Sequence, residues 1–566
     1  MSQTKAQLLA PVGIFTGSGI NVSGTLTATS YSGSGANLSG VGVGTTASVN
    51  TSGIITAVSF SGDGSNLGGV GFGTEDSAVT TGIVTASKFV GSGIGLTNIG
   101  GPIAGLVYSP SIGATSVSVG TNVEIIFSKP IQAGVGTITL RTNAADGTIV
   151  ESYDVESSSN LTINTAKLTI NPTSDLGEST TYYVVIPAGA VKDSFAGVSN
   201  NVGITTYSFT TQAFTYALYS WGRNQTGELG HNDTVKYSSP RQIPGTQWSE
   251  INSNHNGTLA KKTDGTLWAW GYGGIGQLGQ NDQVNRSSPV QIPGTQWSNL
   301  GKAIEHCLAM KNDGTLWAWG INSVGQLGQN EASSTHRSSP IQIPGTQWST
   351  IARSSIRDSS MALKTDGTLW VWGPNSYGEL GLNDIINRSS PTQIPGTQWS
   401  KIQGSYVRAY AIKTDGTLWA WGYGGYGVLG QNNGTYYSSP RQIPGTQWYD
   451  LASTVNAYSM FATKTDNTLW SWGYNYAGIL GLGDVTPYSS PRQIPGTQWS
   501  TASHNAYHTI ALKTDGTLWS FGAGAHGSNG INNLSNYNSP VQIGSGTNWY
   551  KITSTSYGGL AITRTL

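Results

Sequence analysis

The sequence predicts an all-β protein in three parts: N-terminal oligomeric β-fibre repeats, a β-sandwich, and a C-terminal seven-bladed β-propeller. Three observations carry that expectation. A 29-residue repeat of small residues fills the first hundred positions, apolar strand-length runs fill the next hundred, and seven copies of a unit near 50 residues fill the remainder. The 3.6-residue apolar period of an amphipathic helix is absent from the repeating units.

Composition sets the bounds. The 566 residues carry 28 basic and 28 acidic side chains, 10% in all, and 78 glycines. A typical domain has about 25% charged residues and about 7% glycine. Zero net charge gives no general attraction to polyanions, so no nucleic-acid partner is expected. Disorder is opposed by 19 Trp, 26 Tyr and 10 Phe. The single cysteine, Cys307, excludes an intrachain disulfide and a multi-cysteine metal site. No apolar run reaches the ~18 residues of a membrane helix, so no membrane insertion is expected. The opening MSQTKAQLLAPVGIF holds too short an apolar run for a secretory leader.

Charge and tryptophan place the boundaries. Residues 1–105 carry 2 basic and 3 acidic groups, 106–213 carry 4 and 8, and 214–566 carry 22 and 17. All 19 tryptophans lie between Trp221 and Trp549. The expected parts are an attachment segment (1–11), a repeat stem (12–105), a sandwich (106–213) and a propeller (214–566).

In the stem, Val12-Gly13, Val41-Gly42, Val70-Gly71 and Ile99-Gly100 recur every 29 residues. Gly24, Gly53 and Gly82 open GTLTATSYSGSGANL, GIITAVSFSGDGSNL and GIVTASKFVGSGIGL. Each opening reads as a strand, and the GSG and GDG clusters read as turns. Gly, Ser and Thr make up 47 of the 87 residues from 12 to 98, leaving one apolar stripe per repeat. Such a chain alone buries too little apolar area to offset its ordering entropy. Several chains sharing one axis can, so a homotrimer is expected. GIITAVSFSGDGSNL and its copies resemble β-structured repeats of tail fibres and other virion proteins from tailed phages, especially marine cyanophages.

The second part is strand-rich: NVEIIFSKPI (Asn122–Ile131), GTITL (Gly136–Leu140), KLTINP (Lys167–Pro172) and TTYYVVIPAGAV (Thr180–Val191). Asp146-Gly147 and Asn164-Thr165 supply hairpin-like turns. Strands at this spacing predict a sandwich. The run VEIIFSKPI, GTITL, YYVVIPAGAVKD, YSFTT resembles bacterial Ig-like domains of surface-layer and adhesin proteins. That resemblance implies a spacer.

The third part repeats at Pro240, Pro289, Pro340, Pro391, Pro440, Pro491 and Pro540, the ends of SSP or NSP turns. The tryptophan of GTQW or GTNW recurs at Trp248, Trp297, Trp348, Trp399, Trp448, Trp499 and Trp549. Several short strands per unit, punctuated by DG, GQLG and SSP, fit a four-stranded propeller blade. Tyr216–Gly222 supplies the TLWAWG half of a unit without its ALKTDG half, and Gly559–Leu566 supplies the missing half. The last strand should therefore pair beside the first and remove the open edge. AMKNDGTLWAWGINSVGQLG (Ala309–Gly328) resembles the regulator-of-chromosome-condensation repeats, which form seven-bladed propellers. The seventh copy departs, with Phe521 for the second tryptophan and Ser528–Gly530 for the usual ending. The family's nucleotide-exchange activity depends on loop insertions that this chain lacks, so the resemblance implies shape alone. Trp268, Trp270, Trp317 and Trp319 are expected in the core, where each buries about 150–250 Å². One arginine near each SSP in six blades is expected to act at the blade's outer edge.

No nucleophile elbow, HExxH, phosphate loop or EF-hand loop occurs. His504 and His508 are four apart on a segment read as strand or loop, which does not place them on one face. No enzyme activity, cofactor or metal is expected. The seven units agree at GTQW, KTDGTLW and SSP and differ just after GTQW. Those stretches are rich in Tyr, His, Arg and Asn, which suit sugars and protein epitopes. The candidate ligand-binding residues are Arg353, Arg357, Tyr406, Arg408, Tyr410, Tyr458, His504, Tyr507 and Tyr557, expected in projecting loops. Trp348 to Asp366 and Trp448 to Asp466 span 18 positions against 16 in four other units, so those loops should project furthest. The GQLG-to-SSP loops are expected on the opposite face.

The plan as a whole resembles a phage virion appendage, a tail fibre or similar, assembled in the host cytoplasm. It implies attachment to other virion proteins through the stem and a propeller head that binds a host-surface glycan or protein. The alternative is a capsid, neck or tail decoration protein with a purely structural role.

Overall fold

A computed structural model describes residues 103–194, 200–201, 203–253, 256–303, 305–331, 335–352, 359–405, 407–455 and 457–566, together with four two-residue strands of the repeat region. In that region Ile55–Thr56 pairs in parallel with Val84–Thr85, and Phe60–Ser61 with Phe89–Val90. Each partner lies one 29-residue repeat further along the same chain. The rest of the stem, the attachment segment and the expected trimer axis fall outside the described residues. The described residues contain no α-helix, and the chain divides into two compact units, Met1–Gln212 and Ala213–Leu566.

The first unit contains a β-sandwich. One sheet orders the strands Thr148–Asp154, Thr137–Thr142, Thr181–Ile186, Ile204–Thr211 and Ala114–Val117. The other orders Leu161–Asn164, Lys167–Ile170, Val123–Phe127 and Gly105–Ser109. Period-two alternation buries Tyr182, Val184 and Ile186 from one sheet against Val123, Ile125 and Phe127 from the other. Thr165 turns the Leu161–Asn164 hairpin with a left-handed φ of 52°.

The second unit is a ring of seven four-stranded antiparallel sheets, one of them extended by a short fifth strand from its neighbour. Blade 2 shows the plan: Trp248–Ser253, Gly257–Lys262, Leu267–Gly271 and Arg286–Ile292, paired in that order. Blades 3 to 7 begin at Trp297, Trp348, Trp399, Trp448 and Trp499. The strand that opens on the GTQW tryptophan is innermost. Near the axis its far end meets the inner strands of the neighbouring blades, where Ser503 Oγ of blade 7 lies 2.7 Å from Ser453 Oγ of blade 6 and 3.0 Å from Ser554 Oγ of blade 1.

Blade 1 closes the ring. Thr215–Gly222 pairs with Gly558–Thr565 from Thr215↔Thr565 to Gly222↔Gly558, with Tyr237–Thr246 and Trp549–Thr555 on the outside and inside. The two halves separated in sequence thus complete one sheet.

Six of the seven blades pack on their neighbour through a tryptophan. Trp270 is fully buried and donates its Nε1–H to Glu228 O, 3.0 Å away in the preceding blade. Gly230 makes room for it: its φ is +78°, and a Cβ there would sit 2.8 Å from that Nε1. This is why GQLG or GELG ends on glycine. The first tryptophan of the pair, Trp268, is only half-buried, and so is Trp317. Trp248 packs edge-on against Trp268 and Trp270 at 6.1 and 5.9 Å. Lys262 Nζ lies 4.9 Å from the Trp248 ring and 4.7 Å from that of Trp268. The lysine of KTDG thus covers two indoles, a cation–π role its exposed setting hides in the sequence.

In blade 7 Phe521 cannot donate. There Thr509 Oγ1 donates to Ile479 O at 2.9 Å, in place of the missing indole N–H. SSP proves to be outer strand rather than turn, as in Arg286–Ile292. Proline is tolerated there because an edge strand leaves N–H positions unpaired. The neighbouring arginines act along this edge. Arg286 and Arg388 bond Asp282 and Asp384 at 2.6 Å, while Arg241, Arg441 and Arg492 lie over Tyr237, Tyr437 and Tyr488.

Candidate binding face of the propeller

Strand direction assigns the connections to two faces. Because all four strands of a blade alternate in direction, the hairpin between strands one and two and the loop between strands three and four emerge on the same face. The TDG turns and GTQ connections emerge on the other. The expectation that the GQLG-to-SSP loops lie opposite the stretches after GTQW is therefore corrected: both line one face. Tyr423, from a third-to-fourth-strand loop, lies 6.2 Å from Tyr458, from an inner hairpin. The polypeptide enters the propeller at Thr215, on the opposite face, since Thr215–Gly222 runs towards this one.

The stretches after GTQW are not projecting loops. Most of their length is the end of an inner strand or the start of the next, and convergence at the axis buries them. Arg353, Arg357 and Tyr406 lie outside the described residues. Arg408 is fully buried. Its Nη2 donates to Ala457 O at 2.7 Å and its Nε to Ser405 O at 3.2 Å. Tyr410 is fully buried and donates to Val428 O at 2.7 Å; burial pushes its pKa up. His504 is fully buried, with Nε2 3.0 Å from Ser459 O and its ring 4.7 Å from Phe461. Burial lowers its pKa to about 4. His508 sits on the adjacent strand against Asn505, and its pKa is lowered by burial to about 3. Arg408, Tyr410 and His504 thus hold the inner wall together and cannot reach a ligand directly. The longer blade 6 unit does not project either. Its extra residues form Ser453–Val455, which pairs in parallel with Ser503–Asn505 of blade 7. The extra residues of blade 4 lie outside the described residues.

Three of the candidates do reach this face. Tyr507 and Tyr557 are half-buried and stacked, with centroids 4.8 Å apart and planes 16° apart. Arg223 lies 5.1 Å over Tyr557, and His526 meets it edge-on at 5.1 Å. Burial, then the Tyr507 hydroxyl, raises the Tyr557 pKa to about 12. Tyr458 belongs to a larger cluster that the sequence reading missed.

That cluster spans blades 4 to 6. Tyr377 meets Tyr423 at 5.6 Å and Tyr436 at 5.9 Å, and Tyr423 meets Tyr436 at 4.7 Å. From Tyr458 it continues to Tyr426 at 5.5 Å, to Tyr474 at 4.8 Å, and to Tyr476 at 6.4 Å. Tyr377, Tyr426, Tyr436 and Tyr476 are each 42–54% exposed. The buried guanidinium of Arg408 lies beneath, 5.1 Å from the Tyr458 ring and 5.9 Å from that of Tyr423. Gly425 lets Tyr423 lie flat, because a Cβ there would collide with the Tyr423 hydroxyl. The available signal was composition: setting aside the tyrosine that directly precedes SSP or NSP in four blades, the segments after WG hold Tyr377, Tyr423, Tyr426, Tyr436, Tyr474 and Tyr476 in blades 4 to 6, against Tyr272 alone in the other blades.

A closed seven-bladed propeller with an aromatic face is a scaffold for binding rather than a fold tied to one chemistry. Comparisons place it among known proteins. The RCC1-like domain model matches residues 217–506, just over half the chain, and the chain belongs to that family. The bacterial Ig-like domain model matches residues 105–211. The solved structures it resembles include yeast RCC1 (Prp20) bound to Kap60, with a TM-score of 0.56 and 17% identity over 62% of this chain and 90% of that one. Prp20p from Saccharomyces cerevisiae, described with its binding to Gsp1p and histones, gives 0.55 and 18% over 62% and 91%. Human WBSCR16 gives 0.54 and 20% over 62% and 98%. These likenesses show the fold. No curated protein matches the chain in sequence.

Proposed function

We propose that this chain is an attachment protein, a tailed-phage virion appendage such as a tail fibre. In this reading the repeat stem binds other virion proteins and the Ig-like domain is a spacer. The propeller binds a host-surface ligand without catalysing a reaction. The observation that carries the reading is the continuous tyrosine surface over blades 4 to 6, on the face away from the entering chain. Monomeric proteins seldom leave large aromatic surface open unless something binds there. Trimerisation through the stem would repeat this face on one stalk, so that weak sites gain avidity.

Gold-labelled antibody against residues 214–566, applied to virions carrying the chain, tests the reading by negative-stain microscopy. Label at distal tail structures supports attachment. Label spread over the capsid would make the chain a decoration protein instead. Fluorescent full-length chain should also stain cells of a susceptible host, counted by flow cytometry. Light scattering on the full chain tests the stem: three copies are expected, and a monomer refutes the avidity argument.

A further inference from the structure

The loop face carries more detail than an aromatic patch. Tyr426 adopts a left-handed backbone, with φ 62° and ψ 14°, at 54% exposure, and Ala477 and His526 hold the same turn position in blades 6 and 7 with φ 53° and 60°. A bulky residue is rarely found there, because its Cβ crowds the backbone. Glycine would satisfy the turn at no steric cost. The fold gains little from the ring, which is more than half exposed. The turn imposes this backbone in three blades, so the strain belongs to the turn, and the exposed ring is what blade 5 adds to it.

The hydroxyls tell the same story. Among the described residues, the side chains of Tyr377, Tyr426, Tyr436, Tyr474 and Tyr476 have no hydrogen-bond partner. Among the described residues, the loops that carry these rings present little free charge. The 423–436 loop of blade 5 has no ionisable group other than tyrosine. In the flanking loops, Glu379 accepts from the Tyr377 backbone N–H, Asp384 pairs with Arg388, and Asp484 accepts from Tyr488. The nearest cation, Arg408, is buried and donates to backbone carbonyls. The rings are also pre-set. Each packs on its neighbours at 4.7–6.4 Å, so little side-chain freedom remains to be lost on binding.

We propose that this surface is a neutral-polysaccharide site, with Tyr377, Tyr426, Tyr436, Tyr474 and Tyr476 as its contact residues. The inference rests on the attachment reading and names its ligand class. Ring faces match the apolar C–H faces of sugars, and the open hydroxyls match their hydroxyl groups. Successive rings lie about one sugar unit apart, which fits a chain rather than a single monosaccharide. A polyanion would need Arg or Lys among the rings, and among the described residues the ring-bearing loops 374–387, 423–436 and 474–487 carry neither. Tyrosine also anchors protein partners; the unpartnered hydroxyls favour the sugar, and cell staining without polymer binding would report a protein instead.

The test uses the full chain against a soluble mannan, glucan and galactan, with alginate as the anionic comparator, by biolayer interferometry. At least one neutral polymer should bind, and alginate should bind at least tenfold more weakly. Tyr436→Ala with Tyr476→Ala should weaken that binding at least tenfold. Tyr426→Gly should weaken it too while raising the melting temperature or leaving it unchanged, which separates ligand contact from folding. Neutral-polymer binding that survives these substitutions overturns the site, and alginate binding as strong as the best neutral polymer overturns the ligand class. Host-cell staining that depends on these tyrosines, with none of the three neutral polymers bound, also overturns the ligand class but leaves attachment standing. Loss of both cell and polymer binding in the wild-type chain overturns the two readings together.

Discussion

Trp421→Phe tests how one blade is fastened to the next. Trp421 is fully buried and its Nε1–H donates to Glu379 O in the preceding blade at 2.9 Å. Phenylalanine removes the donor and leaves that buried carbonyl without it, a cost of about 1–3 kcal/mol. The smaller ring also leaves space, adding roughly 1 kcal/mol. Blade 7 already contains the compensated form, Phe521 with Thr509 bonded to Ile479 O. The position equivalent to Thr509 in blade 5 is the buried Ala409. Ala409→Thr alone should be tolerated, since Thr258 sits beside Trp270 in blade 2 and both donate to Glu228 O, whereas with Trp421→Phe it should restore about 1 kcal/mol. A double-mutant cycle on the full chain, read by calorimetry on the propeller transition, isolates this coupling. Additive effects, or a Trp421→Phe protein as stable as wild type, would refute the claim that this hydrogen bond joins the blades.

Three further outcomes are expected. His306, His504 and His508 are buried, and burial lowers their pKa values to about 3, 4 and 3. The unfolded chain takes up protons near pH 6.5 and the folded chain resists, so stability is full above that pH and lost below it. The loss should reach about 2 kcal/mol per histidine at pH 5, seen as a falling melting temperature that His504→Gln partly flattens. Arg408→Ala should cost about 3 kcal/mol or more, since it strands buried carbonyls of Ser405 and Ala457; Tyr436→Ala should stay within about 0.5 kcal/mol by the same denaturation assay. Deleting Gly558–Leu566 should open blade 1 and produce aggregates in light scattering, because Thr215–Gly222 then loses its inner partner.

The scaffold was largely legible because it repeats. Trp270 and its equivalents recur with the glycine that admits them, and the split unit at Tyr216–Gly222 and Gly559–Leu566 spells out the closing sheet in the sequence itself. The face was harder to read. The stretches around Arg408 and His504 vary and are polar, which along a single chain is the signature of a loop. Only the convergence of seven strands makes them interior, and no local pattern encodes that convergence. SSP was misread as a turn for a related reason: proline signals a break locally, yet an outer edge accommodates it. Tyr377, Tyr426 and Tyr476 were passed over because glycine dominates their loops, and their proximity arises between blades.

The closing sheet also bears on mechanics. A pull on the chain ahead of the propeller enters at Thr215, while a ligand held by the tyrosine face resists from the end where Gly222 lies. The load then runs along Thr215–Gly222, which is flanked by Tyr237–Thr246 on one side and Gly558–Thr565 on the other. Both ladders are stressed in shear, their bonds sharing the force, instead of being peeled one at a time. Under the proposed attachment, drag would therefore slide the strand against two partners at once, a geometry that resists longer than a strand peeled from one edge.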